Sequence, residues 1–399
     1  MNTGLRIGRL RPAMVTLHNK VLPKAMCREK DEIMKAGKTA AIAVVFATFA
    51  IGPSVAASAG DAPAGRPVFD KDGTVHVPAF ELPPSMFMSK EAVDMLKARA
   101  AMPAFAIPPN LDIATIRRGM EGILSPSVRA MQKRYPVDVV EQVIAGVPTR
   151  IVTPKDRKPV SGRVLINLHG GGFSMCADAC AVLESLPIAS VGGYKVVSVN
   201  YRQGPENKFP AASEDVTAVY RELLKSYKPS QIGIYGCSAG GALSAQVAAW
   251  LPKHNLPEPG AIGIFGSGAA RFATGDSSYF SGNADGSFPP PPPAGSPTTP
   301  MMKTMMAYFE NTDPNDAMIS PAGHLDVLAK FPPTLVLTGT RAPDMSPAIY
   351  THSQLIKAGV PGDLIVGEGL GHCYIYSADL PEARDAYSAI VKFFQKYLH

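Results

Sequence analysis

From residue 137 onward, short apolar runs rich in β-branched residues alternate with longer segments of helical spacing. The runs are 137–144, 147–153, 164–168, 195–200, 232–235, 261–265, 334–337 and 364–366, so eight strands are expected. The first two are separated only by Ala145-Gly146 and read as an antiparallel hairpin, whereas 212–225 and 239–251 are long enough to be crossover helices. This alternation predicts an α/β architecture, a mostly parallel sheet flanked by helices. Val164-Leu165-Ile166-Asn167-Leu168 is almost wholly apolar, as a strand covered on both faces should be. The chain closes on a helix over 381–398. Upstream, 89–101 and 111–135 carry Met, Leu and Ile at helical spacing, separated by Pro103, Pro108 and Pro109, and predict two helices able to cap a pocket. Segment 60–84, rich in Ala, Pro and Gly, reads as a linker or a strapped-down arm. Segment 276–300, with Gly282, Gly286 and five prolines at 289–293, is expected to hold neither helix nor central strand. It reads as a stiff surface loop, with a polyproline recognition ligand as the alternative.

The N-terminus has a different character. A basic stretch at 35–38 precedes the apolar run 40–51 (AAIAVVFATFAI) and the small residues Ala57-Ser58-Ala59, the pattern of a secretory signal cleaved near Ala59. The run falls short of the ~20 apolar residues of a spanning helix, so no stable membrane span is expected after cleavage; an uncleaved anchor is the alternative. Met34 would be the natural start of such a signal, which makes 1–33 an upstream extension or a long basic region. The expected plan is a leader at 1–59, a linker at 60–84, helices at 85–135 and an α/β domain at 136–399, with a periplasmic or secreted product.

The net charge of +6 belongs to that leader. Nine of the 39 Lys/Arg and three of the 33 Asp/Glu lie in residues 1–59, leaving thirty of each beyond them. No basic excess survives to neutralise phosphates, so no nucleic-acid partner is expected. Cys27 lies in the leader; Cys176, Cys180, Cys237 and Cys373 would meet an oxidising compartment. If 176 and 180 share a helical turn, unpaired packing is favoured over a bond. Cys237 reads either as a buried thiol or as the partner of Cys373. No CxxC pair and no Cys/His cluster at zinc spacing occurs, so no metal is expected.

Two motifs carry chemistry. Gly236-Cys237-Ser238-Ala239-Gly240 fits G-x-S-x-G, with a strand candidate before it and an Ala-rich helix candidate after it. A serine there sits on a sharp strand-to-helix turn where side chains two residues away on either side would clash unless they are glycine, and the helix N-terminus adds positive dipole character beside a forming anion. His169-Gly170-Gly171-Gly172-Phe173 directly follows the apolar strand 164–168, and its glycines leave backbone N–H groups uncovered, as oxyanion donors require. These segments, with Tyr201-Arg202-Gln203-Gly204-Pro205-Glu206 and Phe209-Pro210-Ala211-Ala212, resemble the signatures of the hormone-sensitive-lipase-like branch of the α/β-hydrolases, over roughly 137 to the C-terminus. The resemblance implies the α/β-hydrolase fold, a cap from helices at about 85–135, oxyanion donors at Gly171, Gly172 and Ala239, and a preference for short- or medium-chain esters. Cys237 departs from the pattern, since the family usually has an acidic residue there.

A serine hydroxyl needs a base within hydrogen-bond reach, itself held by a third group. His372, in Gly369-Leu370-Gly371-His372 after the last strand, is the expected base, and the resemblance agrees. His254, His324 and His352 read as structural, and His169 as part of the oxyanion loop. For the acid, family members place an aspartate where this chain has Ala342; Asp344 follows two residues later in the same loop and keeps the order Ser, acid, His. Glu368 and a dyad without an acid are the alternatives. The expected function is a serine carboxylesterase acting on a small-molecule ester through Ser238, His372 and Asp344, without a cofactor. An acyltransferase, lactonase or amidase would use the same triad, and a non-catalytic binder would use the same fold. A homo-oligomer is compatible with all of these.

Overall fold

The computed structural model describes residues 65–99, 112–272, 274–284, 303–304 and 306–399. The leader with its apolar run, Cys27 and the proline run at 289–293 lie outside the described residues. Described residues up to Ala79 belong to a separate unit, in which Val68–Phe69 and Val75–His76 form a small antiparallel hairpin closed by an Asp70–His76 pair at 2.8 Å.

All eight expected strands form: β1 (Val137–Ile144), β2 (Val147–Pro154), β3 (Val164–Leu168), β4 (Lys195–Val199), β5 (Ile232–Cys237), β6 (Ala261–Phe265), β7 (Thr334–Gly339) and β8 (Gly362–Gly367). They make one sheet in the order β8-β7-β6-β5-β3-β4-β2-β1, in which β2 alone runs opposite to the other seven strands. Side chains alternate between two buried layers. Ile166, Ile234, Ile264 and Val336 fill one, while Leu165, Tyr235, Phe265 and Leu335 fill the other, as a period of two on a doubly covered sheet requires.

Among the described residues seven longer helices accompany the sheet: α1 (Lys90–Arg99), α2 (Ile113–Arg134), α3 (Ala179–Gly192), α4 (Ala211–Leu223), α5 (Ala239–Lys253), α6 (Met345–Lys357) and α7 (Pro381–Tyr397). α7 buries Ala383, Ala386, Tyr387, Ile390 and Phe394 at helical spacing on one stripe. α3 has no such stripe. It is buried nearly all round because the sheet covers one side and α2 and α7 cover the rest. No described helix is long and apolar enough to cross a membrane.

Two expectations need correction. Residues Ser277–Ala284, inside the segment expected to hold no helix, form one. The glycines and prolines that argue against a helix cluster later, and these eight residues contain only Gly282. The helix start is stitched to the N-terminal end of α6: Ser277 donates through Oγ to Pro343 O at 2.8 Å and accepts from Ser346 N at 2.9 Å. Cys176 and Cys180, expected unpaired, are disulfide-bonded with their Cα atoms 5.4 Å apart. They do not share a regular helical turn: α3 begins only at Ala179, and Cys176 has φ +67°.

Candidate active site

Parallel strands deliver their following loops to one edge of the sheet. The loops after β3, β5, β7 and β8 carry the oxyanion segment, Ser238, Asp344 and His372 respectively. At the end of β5 the chain turns straight into α5, with Ser238 at φ 59°, ψ −122°. A non-glycine residue holds such a conformation only when its surroundings fix it. Here Ser238 N donates to Phe265 O at 2.8 Å, and Ser238 O accepts from Ala242 N at 3.1 Å. The flanking glycines are steric requirements: a Cβ on Gly240 would lie 1.7 Å from Leu168 O, and one on Gly236 2.1 Å from the same atom. The elbow is thus pressed against the end of β3, with the first N–H groups of α5, Ala239 among them, beside the serine.

The loop after β3 lies against this elbow, since a Cβ on Gly170 would sit 3.4 Å from Ser238 Cβ. Gly171 takes φ +107° and Gly172 φ +62°. Gly171 O accepts from Ser174 N at 3.1 Å and Met175 N at 3.0 Å, while the N–H groups of Gly171 and Gly172 make no hydrogen bond among the described residues. His169 is fully buried, stacked on Tyr201 at 4.3 Å between ring centres. Its Nδ1 pairs with Gly170 O at 2.8 Å, and burial lowers its pKa to about 4, so it is a neutral part of the loop's support.

Asp344 is fully buried, with Oδ1 2.5 Å from His372 Nδ1 and Oδ2 accepting from Thr338 Oγ1 at 2.6 Å. Nδ1–H therefore faces the carboxylate, which leaves the lone pair on Nε2, the tautomer a general base needs. Glu368 is exposed to solvent and is not the partner of His372. Cys237 and Cys373 form a disulfide with Cα atoms 6.3 Å apart, tying the elbow to the histidine loop. Gly266 makes room for it: a Cβ there would meet Cys373 Sγ at 2.7 Å, Cys237 Sγ at 2.9 Å and His372 Cε1 at 3.3 Å. His254 is stacked on Trp250, His324 is bonded to Asn315 O and His352 to Gly362 O.

The N-terminal half of α2 rests on the continuation of the oxyanion loop. Arg117 donates to Ser174 O at 2.8 Å and to Gly204 O at 2.9 Å, and pairs with Glu206 at 2.8 Å. Glu121 accepts from Ala179 N at 2.8 Å, capping α3. A cleft of about 570 Å³ runs beside these groups, lined by Arg117, Met175, Tyr201, Gln203 and Glu206, and neither Ser238 nor His372 faces it.

Thr338 and Glu184 are the site's supporting residues that sequence reasoning missed. Glu184 is buried on α3 and accepts from both Gly170 N and Cys237 N. The available signal was Glu184 as the one charged residue of its helix, matched by Asn167 in an otherwise apolar strand.

A strand-turn-helix serine, a glycine loop against it and a His–Asp pair at one sheet edge define a class, and comparison with known proteins agrees. The sequence profile of the family described as alpha/beta hydrolase fold matches residues 165–376, and the chain belongs to that family. It falls in the hormone-sensitive-lipase-like branch, among carboxylic ester hydrolases. An acetyl-hydrolase of Streptomyces hygroscopicus is 30% identical over 227 residues, 56% of this chain and 73% of that protein. The crystal structure of an esterase from the bacterial hormone-sensitive lipase family superposes with TM-score 0.65 at 27% identity, covering 77% of this chain and 97% of that one. The gibberellin receptor GID1C of Arabidopsis thaliana is 32% identical over 136 residues, 29% of this chain and 40% of the receptor. Several curated relatives are thus spanned over less than half their length.

Proposed function

We propose that the chain is a serine carboxylesterase that hydrolyses short- to medium-chain carboxylic esters through an acyl-enzyme on Ser238. Ser238 Oγ attacks the ester carbonyl while His372 Nε2 takes its proton, and Asp344 orients the ring and stabilises the imidazolium. Gly171, Gly172 and Ala239 N–H groups receive the oxyanion; in such sites one donor contributes about 3–4 kcal/mol to the transition state. His372 then returns the proton to the leaving alcohol, and water, deprotonated by the same ring, releases the acid.

The observation that supports this reading most is the 2.5 Å pairing of His372 Nδ1 with the buried Asp344. Each disulfide in the described residues supports the periplasmic or secreted location read from the leader, because such bonds persist in oxidising compartments.

The test is turnover of p-nitrophenyl esters of increasing acyl length, beside labelling of Ser238 by an organophosphonate. Turnover falling off with long acyl chains and lost in Ser238→Ala is expected. Absence of both turnover and labelling would overturn the esterase reading in favour of a non-catalytic binder.

A further inference from the structure

Four hydrogen-bond donors converge on one buried carboxyl group behind the active site. Glu184 Oε1 accepts from Gly170 N at 2.9 Å and Tyr376 OH at 2.6 Å. Oε2 accepts from Asn167 Nδ2 at 2.8 Å and Cys237 N at 3.1 Å. The four donors come from different pieces of the site. Gly170 opens the oxyanion loop, Cys237 precedes Ser238, Tyr376 follows His372 by four residues, and Asn167 lies in β3. Asn167 is itself fixed, its Oδ1 accepting from Ser185 Oγ at 3.1 Å and Ser198 Oγ at 2.8 Å.

We propose that Glu184 is a positioning residue for catalysis, holding the oxyanion loop, the nucleophile elbow and the histidine loop in mutual register from beneath. The inference rests on the Ser238 reading above and deepens it. Glu184 touches no reacting atom. It sets where the Gly170–Gly171 segment stands relative to Ser238, and displacement of catalytic groups by about 1 Å is enough to cost on the order of a hundredfold in rate.

The chemistry of the site demands a carboxyl group rather than any polar side chain. All four partners donate, and two are backbone N–H groups that cannot reverse their role. A glutamine presents an amide NH₂ to one side of the cluster, so it leaves either Gly170 N–H or Cys237 N–H facing another donor. An aspartate is one methylene short and cannot span both sides. Burial pushes the Glu184 carboxyl up to about 7, with the four donors acting against that shift. The titratable groups that sense it, Tyr201, Tyr235 and Tyr376, are pushed well above the ordinary tyrosine value by burial and by this carboxylate. His169, next to Gly170, is neutral, so the Glu184 carboxyl is held by these hydrogen bonds and not by an ion pair with that ring.

The experiment measures kcat and KM for p-nitrophenyl butyrate, and the rate of organophosphonate labelling of Ser238, in the whole protein and in Glu184→Gln, Tyr376→Phe and Val219→Ala. Val219, buried on α4, reports what loss of core packing alone does. Expected for Glu184→Gln is a thirty- to hundredfold loss in kcat with KM within about threefold, and labelling slowed in parallel. Val219→Ala, destabilised by packing loss, is expected to keep kcat within about twofold. Tyr376→Phe removes one of the four bonds and carries the test if Glu184→Gln does not fold, with a three- to tenfold loss in kcat at unchanged KM. Wild-type rates in folded Glu184→Gln, or in Tyr376→Phe where the former fails to fold, or a loss confined to KM, would overturn the proposal. Absence of labelling in the wild-type protein would instead overturn the Ser238 reading.

Discussion

Cys237 and Cys373, 136 residues apart, are joined by a disulfide, and each is the chain neighbour of a residue assigned to catalysis, Ser238 and His372. The last residue of β5 and the loop after β8, which meet only in the folded state, are thereby covalently linked.

That link has a stability consequence. A cross-link closing a loop of this length restricts the unfolded chain strongly, so Cys237→Ala/Cys373→Ala is expected to lower the unfolding free energy by about 3–5 kcal/mol. Cys176→Ala/Cys180→Ala, which opens a link between positions only four apart, is expected to cost less. Urea denaturation of the two double variants checks the order.

The acid assignment makes a sharper prediction. Asp344→Asn keeps the packing but no longer fixes the His372 tautomer, and kcat is expected to fall by about ten-thousandfold. Thr338→Val removes the bond to Oδ2 alone and is expected to cost about tenfold, while exposed Glu368→Gln leaves kcat within about twofold. Steady-state kinetics on the three variants distinguishes a single acid from a shared one.

Gly171→Ala tests the oxyanion loop. The added Cβ would lie 2.0 Å from Met175 O at a backbone φ of +107°, so the loop must move. Expected is a loss in kcat of a hundredfold or more, on the order of removing one oxyanion donor, with KM little changed. Retained kcat would show that the loop's N–H groups do not contact the reacting carbonyl.

A pH effect on stability follows from a group remote from the site. Neither carboxyl oxygen of Glu258 has a hydrogen-bond partner among the described residues, and burial pushes its pKa up to about 9 from the ordinary 4.5. A folded-state pKa above the unfolded value means that the folded protein holds the proton more tightly. The stabilisation is fully present below pH 4.5 and is lost as pH rises towards 9, at no more than about 1.4 kcal/mol per pH unit. Glu258→Gln is therefore expected to gain relative to the wild type between pH 5 and 9, as read by denaturation at fixed pH values.

The parts of this architecture that follow a period were legible in the sequence. Short apolar runs located every strand of the main sheet: β3, β5, β6 and β7 are covered on both faces and had to be apolar throughout, while the largely exposed β1 was marked by its β-branched residues. Ser238 and the loop at Gly171 were legible because close approach of backbone to backbone permits only glycine beside them, as the 1.7 Å and 2.0 Å positions at Gly240 and Gly171 explain. Asp344 was reached through chain order, although Ala342 stands where the acid was looked for; Asp344 immediately precedes α6, and from there its carboxylate meets His372 and Thr338. Glu184 was not legible, since its role depends on four partners spread from 167 to 376 that only the tertiary fold assembles. The Cys176–Cys180 bond was missed because a four-residue spacing was read as a helical turn, and the helix at Ser277–Ala284 because its composition was averaged with the prolines that follow it.

The most direct test of the central claim is to mix the protein with p-nitrophenyl acetate, quench with acid at short times and locate the adduct by peptide mass spectrometry. The account predicts an acetyl group on the peptide at Ser238, at its side chain, rising within the first turnover and absent in Ser238→Ala. Product formed at the same rate with no adduct on Ser238, or an adduct on another residue that persists in Ser238→Ala, would contradict it.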